Sequence, residues 1–102
     1  MASQSVSGLK AVVTGAGSGM GAATARLLAE GGATVAVTDV NLASAEAVAS
    51  AIGARAFHLD VGDPASVTNT LAEIAEWAGG LDILVNNAGI SGFPPIDHDD
   101  YE

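Results

Sequence analysis

The chain has no cysteine and very few cations. Without cysteine, neither a disulfide framework nor a thiolate metal site can form. Three basic residues stand against twelve acidic ones, which gives a formal net charge of −9 at pH 7. Because so acidic a chain repels phosphate backbones and anionic lipids, we expect neither a nucleic acid nor a membrane surface as a partner.

Long apolar runs and targeting signals are also missing. No apolar run approaches the roughly 20 residues that a membrane-spanning helix needs. Residues 1–8 have neither the basic start nor the apolar centre of a signal peptide, and we expect them to form a flexible amino-terminal segment. These absences predict a soluble, cytoplasmic protein with one domain over residues 1–102.

The sequence does contain a regular alternation of β-branched apolar runs with amphipathic runs. We predict strands at 9–14, 34–39, 55–60 and 82–86, and helices at 19–30, 42–52 and 64–78. Asp63 is expected to cap the third helix, with Pro64 in its first turn. Such alternation is typical of an α/β fold, a doubly wound parallel sheet with helices on both faces. The dinucleotide-binding rule then gives the strand order 3-2-1-4.

A glycine-rich turn joins the first predicted strand to the first predicted helix. Its sequence is Thr14-Gly15-Ala16-Gly17-Ser18-Gly19-Met20-Gly21. Glycine lets a ligand approach bare backbone N–H groups, and the N-terminus of the following helix attracts anions. The turn therefore predicts a phosphate or pyrophosphate site. A tight strand-to-helix connection without a ligand is the alternative interpretation.

An acidic residue ends the second predicted strand. Asp39 lies twenty positions after Gly19, which is the spacing expected for a carboxylate that accepts hydrogen bonds from the hydroxyls of a ribose. The alternative is that Asp39 caps the helix that begins near Leu42, a role that Asn41 could fill equally well.

With two later landmarks, these residues resemble the amino-terminal half of a short-chain dehydrogenase/reductase. The landmarks are the pattern Thr-Gly-x-x-x-Gly-x-Gly at 14–21, Asp39, Asp60-Val61 and Asn86-Asn87-Ala88-Gly89. Each follows or ends a successive predicted strand, and the resemblance covers residues 8 to about 96. It implies a Rossmann-like NAD(H)-binding domain over residues 1–102. The parent enzyme would transfer hydride between the nicotinamide cofactor and a small alcohol or carbonyl substrate, and would be a homo-oligomer at full length.

The resemblance also implies a role for each landmark. The glycine loop would hold the pyrophosphate, Asp39 the adenosine ribose, and Asp60 and Val61 the adenine. Asn87 would lie near the nicotinamide ribose, and Asn86 would mainly brace the sheet. The cofactor-binding residues predicted in this way are Gly15, Ser18, Gly19, Met20, Gly21, Asp39, Asp60, Val61, Asn87, Ala88 and Gly89.

The chain departs from the family pattern in its catalytic residues. The family uses a Ser and a Tyr-x-x-x-Lys motif, all beyond the Asn-Asn-Ala-Gly turn. Here the only tyrosine is Tyr101 and the only lysine is Lys10, while Ser18 and Ser91 do not match the catalytic serine. We therefore assign no catalytic residue and expect the 102-residue chain to be inactive alone.

Other functions have weaker support in the sequence. A stand-alone, non-catalytic nucleotide-binding module stays open. A class-I methyltransferase would share the glycine turn and the acid after strand two, but it would usually carry an acid where Thr14 stands. No Gly-Lys-Ser/Thr follows the glycine loop, which excludes a nucleoside-triphosphatase loop. His58 and His98 lie forty residues apart, and the acids around them do not have a metal-ligand spacing, so we predict no metal site.

Overall fold

Four strands and three helices alternate along the chain in the computed structural model, which describes residues 6–87. The strands are β1 (Lys10–Thr14), β2 (Thr34–Asp39), β3 (Arg55–His58) and β4 (Ile83–Asn86), and the helices are α1 (Gly19–Glu30), α2 (Leu42–Ile52) and α3 (Pro64–Ala78). All three helices have the predicted bounds. None of the helices in the described part of the chain is long and apolar enough to cross a membrane.

The strands form one parallel sheet in the order β3-β2-β1-β4. In β1, Ala11 lies between Val35 of β2 and Ile83 of β4. On the far side of β2, Val37 pairs with Ala56 of β3. The predicted α/β class and strand order are confirmed. Since every strand points the same way, the four carboxyl ends meet at one edge of the sheet.

Alternate residues of the central strands supply the cores of the two sheet faces. On one face, Val13 and Val37 pack in a cluster with Ala25 of α1 and Ala45 of α2. On the opposite face lies a second cluster, which α3 contributes to: Val12, Ala36, Phe57 and Ile74. The alanines on α1 and α2 keep these helices close to the sheet, because small side chains allow backbones to approach.

Polar caps fix where the second and third helices begin. The side chain of Asn41 accepts a hydrogen bond from the Ser44 N–H at 3.1 Å and caps α2. Asp63 does the same for α3 by accepting from the Ala65 N–H at 3.0 Å, with Pro64 in the first turn as predicted.

The third strand is two residues shorter than predicted. It ends at His58 because the chain then turns: Asp60 accepts hydrogen bonds from the N–H groups of Gly62, through its side chain, and of Asp63, through its carbonyl. At the other end of the molecule, the Gly8 N–H donates to the Gly32 carbonyl at 3.2 Å. Residues 1–5 of the expected flexible segment lie outside the described residues.

Candidate functional site

A cleft of about 600 Å³ opens at the carboxyl-terminal edge of the sheet. Its walls come from the loops that follow all four strands. The residues that line it are Gly15, Ser18, Gly19, Met20, Asp39, Val40, Leu59, Asp60, Val61 and Asn87. Of the predicted cofactor-binding residues within the described part of the chain, Gly21 alone is missing from this lining. Ala88 and Gly89 lie outside the described residues.

The glycine loop points the start of α1 toward the cleft. Ser18 is the N-cap residue, but its side chain makes no capping hydrogen bond, and the first turn of the helix carries no acidic residue. Neither the N-cap nor the first turn therefore compensates the positive end of the helix, and the Asp39 carboxylate accepts from the Gly17 N–H just before the N-cap. Gly15 and Gly19 both have a φ of +61°, which glycine adopts without strain. A Cβ at Gly19 would meet no described atom within 4 Å, so the position faces open space.

Gly21 has a different role, because it is packed rather than open. A Cβ there would overlap the Gly15 carbonyl oxygen and would lie 2.9 Å from both the Ala16 Cα and the Asn87 Nδ2. Glycine is therefore required at position 21 for the close approach of α1 to the loop after β1. The sequence predicted that this loop needs glycines. The structure shows that Gly19 faces open space, whereas Gly21 is packed.

Asp39 is half-buried at the end of β2, and both of its carboxylate oxygens accept hydrogen bonds from backbone groups. Oδ2 accepts from the Gly17 N–H and Oδ1 accepts from the Asn41 N–H, each at 2.9 Å. The helix α2 is capped by Asn41 instead, so the alternative role of Asp39 as its cap is wrong. The carboxylate lies at the cleft wall with a fixed orientation.

Another part of the cleft wall is formed by the turn after β3. There the carboxylate of Asp60 accepts from the Gly62 N–H at 2.9 Å, while the Asp60 N–H donates to the Ser66 hydroxyl at 3.1 Å. Leu59 is buried, with 4% of its surface exposed, and contributes an apolar patch beside the half-buried Val61. An acceptor next to apolar side chains suits the edge and face of a heterocyclic base.

A hydrogen-bond network ties the glycine loop to the end of β4. The Thr14 hydroxyl lies 3.1 Å from Asn86 Oδ1 and 2.9 Å from the Asn87 N–H, from which it accepts. The side-chain amide of Asn87 donates to the Gly15 carbonyl at 3.2 Å. Asn86 thus bridges β1 and β4, and Asn87 is held against the glycine loop, which lines the cleft.

Sequence reasoning missed three residues that shape this site. Gly17 donates to Asp39, and Val40 and Leu59 line the cleft. Val40 directly follows the second predicted strand, and Leu59 is the next-to-last residue of the third, so their position beside the landmarks was a usable signal. For Gly17 no local signal existed, because its contact is with a residue 22 positions away.

Three comparisons place the chain among known proteins. A model of the short chain dehydrogenase family matches residues 9–102. Sorbitol dehydrogenase from Cereibacter sphaeroides is 44% identical over 91 residues, which are 87% of this chain and 36% of that enzyme. The structure of a hydroxysteroid dehydrogenase from Escherichia coli superposes with a TM-score of 0.82 and 32% identity, covering 97% of this chain and 43% of that one.

A further solved structure is similar in fold and sequence but has a different description. It is described as ribose-5-phosphate isomerase from Brucella melitensis 16M, with a TM-score of 0.78 and 43% identity over 93% of this chain and 38% of that one. The chain spans little more than a third of the length of the curated relatives it matches. From the family match and these relatives, the chain belongs to the short-chain dehydrogenase family and corresponds to the amino-terminal part of its members.

Proposed function

We propose that this chain is the NAD(H)-binding part of an oxidoreductase that acts on CH–OH groups. The cleft at the carboxyl ends of the strands is the observation that carries the proposal, because it gathers residues from four separate loops. Ligands of open α/β sheets bind at this edge. The family, whose members use nicotinamide cofactors, supports a dinucleotide as the ligand.

The residues present fit such a ligand part by part. The N-terminus of α1, which has no side-chain cap, and the open position at Gly19 suit a pyrophosphate. Asp39 suits the adenosine ribose, and the turn at Asp60 and Val61 suits the adenine. Asn87, fixed against the glycine loop, suits the nicotinamide ribose. A cleft of about 600 Å³ lies within the range of cofactor sites.

Asp39 supports NAD(H) rather than NADP(H). An ionised carboxylate offers about four acceptor positions, of which backbone N–H groups occupy two, so positions remain for both ribose hydroxyls. A 2′-phosphate would instead meet a like charge. The glycine loop and residues 38–42 contain no lysine or arginine that could pair with a phosphate.

In the proposed reaction, a bound nicotinamide supplies the hydride donor or acceptor for an alcohol and carbonyl pair. The residues of this chain bind and orient the dinucleotide. Proton transfer to or from the substrate oxygen needs a positioned acid or base, which the family supplies with a Tyr-x-x-x-Lys motif that these 102 residues do not contain. The name of sorbitol dehydrogenase supports an alcohol as the substrate class of the whole protein.

Calorimetric titration of the chain with NAD and with NADP tests the proposal. We expect NAD to bind more tightly, because only NADP places a phosphate beside Asp39. S-adenosylmethionine serves as the comparison ligand for the methyltransferase alternative. Equal or tighter binding of NADP would overturn the cofactor assignment, and failure of both dinucleotides to bind would overturn the assignment of the cleft.

A further inference from the structure

We propose that Gly17 is a specificity-determining residue that acts by positioning the Asp39 carboxylate. The inference rests on the proposed function, since it concerns the choice between NAD and NADP. Gly17 does not line the cleft, although Gly15, Ser18 and Gly19 of the same loop do. We therefore expect an effect of Gly17 on the cofactor to pass through another residue.

The hydrogen bond between Gly17 and Asp39 supplies that connection. The Gly17 N–H donates to Asp39 Oδ2 at 2.9 Å, while the Asn41 N–H holds Oδ1. Two donors on opposite oxygens fix the plane of a carboxylate that would otherwise rotate about its last torsion. The lone pairs that stay available then point in defined directions from the half-buried side chain.

The absence of a side chain at position 17 is what permits this contact. A Cβ there would lie 2.9 Å from Asp39 Oδ2 and 2.7 Å from the Ser44 Cβ of α2. Unlike Gly15 and Gly19, Gly17 has no positive φ, so alanine fits its backbone conformation. Glycine is therefore needed here for space and not for backbone freedom, and the Cβ of Gly17→Ala would press on both the Asp39 carboxylate and Ser44 of α2.

The experiment measures NAD and NADP affinities of the chain and of five variants by calorimetry. We expect Gly17→Ala to weaken NAD binding about tenfold and NADP binding much less, because the displaced carboxylate no longer accepts from both hydroxyls. In an Asp39→Ala background the route through the carboxylate is gone and the contact with Ser44 is left, so the same Gly17→Ala change should alter the NAD affinity less than about twofold. Equal losses in both backgrounds would overturn the inference.

Two further variants separate the carboxylate from general packing. Gly17→Ala combined with Ser44→Gly removes the contact with α2 and keeps the contact with Asp39. The ratio of NAD to NADP affinity should therefore stay as low as in Gly17→Ala alone. Full recovery of the ratio would assign the effect to helix packing and overturn the inference. Gly62→Ala is the matched control, because Gly62 also donates to a cleft carboxylate at 2.9 Å but its Cβ would lie 3.3 Å from that side chain. It should leave the ratio unchanged.

The outcomes also separate this inference from the proposed function. A wild-type chain that does not prefer NAD overturns both. A wild-type preference for NAD that Gly17→Ala leaves intact overturns the role of Gly17 alone. If Gly17→Ala and its combination with Ser44→Gly both fail to fold by circular dichroism, the glycine is required for the fold, and the positioning role is likewise overturned.

Discussion

Asp39 and Asp60, the two carboxylates of the cleft, are both held by backbone N–H groups. The donors are Gly17 and Asn41 for Asp39, and Gly62 for Asp60. Backbone donors sit on a rigid scaffold, so they orient a carboxylate at a smaller entropic cost than flexible side chains would. At this scale, the proposed cofactor specificity would depend on the direction in which an acidic group is fixed as much as on its presence.

Removing the carboxylate of Asp39 should reduce NAD affinity more than NADP affinity. We expect Asp39→Ala to cost about 1.5–3 kcal/mol of NAD binding, the usual value for hydrogen bonds to a charged group. The affinity for NADP should fall less, because the substitution also removes the repulsion between the carboxylate and the 2′-phosphate. Parallel calorimetric titrations measure both values. A loss of the same size for the two dinucleotides would show that Asp39 does not contact the ribose.

Gly19 and Gly21 should respond differently to the same substitution. At Gly19, an alanine Cβ meets open space but the left-handed backbone costs about 1–2 kcal/mol. At Gly21 it overlaps the Gly15 carbonyl. We therefore expect Gly21→Ala to lower the melting temperature more, and Gly19→Ala to weaken NAD binding in a chain that keeps its far-UV circular dichroism. A Gly19→Ala chain that unfolds, or one that binds NAD as wild type does, would contradict this.

At the scale of elements, the helix starts are set by short polar side chains one residue outside each helix. Asn41 and Asp63 satisfy N–H groups that the helices leave without an intrahelical partner. The start of α1 lacks such a cap at Ser18, and it is the start that faces the cleft. The starts of α2 and α3 are thus capped by side chains, whereas the start of α1, where a ligand is proposed, is not.

Loss of the α3 cap should destabilise the chain without affecting the cleft. We expect Asp63→Ala to lower the free energy of unfolding by about 1 kcal/mol. Glu73→Ala is the control, since it lies exposed on the same helix away from its first turn. Urea titration monitored by circular dichroism measures both variants. If the two variants are equally stable, the hydrogen bond from Ala65 to Asp63 contributes nothing measurable.

At the scale of the molecule, the sheet is covered unequally. The clusters on its two faces involve α1 and α2 on one side and α3 on the other. Within residues 6–87, β4 pairs with β1 alone, so its other edge is unpaired there. Leu84 on this strand is 57% exposed, and Leu81 just before it is 39% exposed. An apolar strand with an open edge is a template for pairing with another chain.

We therefore expect the 102-residue chain to associate, and to do so more strongly as salt is added. The net charge of −9 opposes association, and salt screens it with a Debye length of about 8 Å at physiological ionic strength. Light scattering across a salt series measures this. Leu84→Lys should suppress the association, whereas Leu27→Lys, at a still more exposed position on α1, should not. A monomer at every salt concentration would contradict the expectation.

The same chain should show no dehydrogenase turnover, because no Tyr-x-x-x-Lys motif occurs in its sequence. The measurement is NADH formation with a panel of alcohols, and NADH consumption with the matching carbonyl compounds. Asp39→Ala, which should bind NAD weakly, is the control for contaminating enzyme. A rate that increases with wild-type protein and is lost in Asp39→Ala would show that these residues include a proton donor.

The sequence by itself determined the elements and their order. The three helix bounds and the parallel order 3-2-1-4 were predictable, because glycine, caps and apolar periodicity act over a few residues and because connections in α/β sheets obey few rules. The landmarks at strand ends were predictable for the same reason. They include Asp39, Asp60 and Asn87, which the structure brings to one cleft.

Only the tertiary structure decided which groups hold these landmarks in place. The contact of Gly17 with Asp39 spans 22 residues, and that of Thr14 with the Asn87 N–H spans 73. Such contacts depend on how closely α2 packs against the glycine loop and on the register between β1 and β4. Those distances follow from the packing of the whole sheet and its helices, and no local pattern of residue types specifies them.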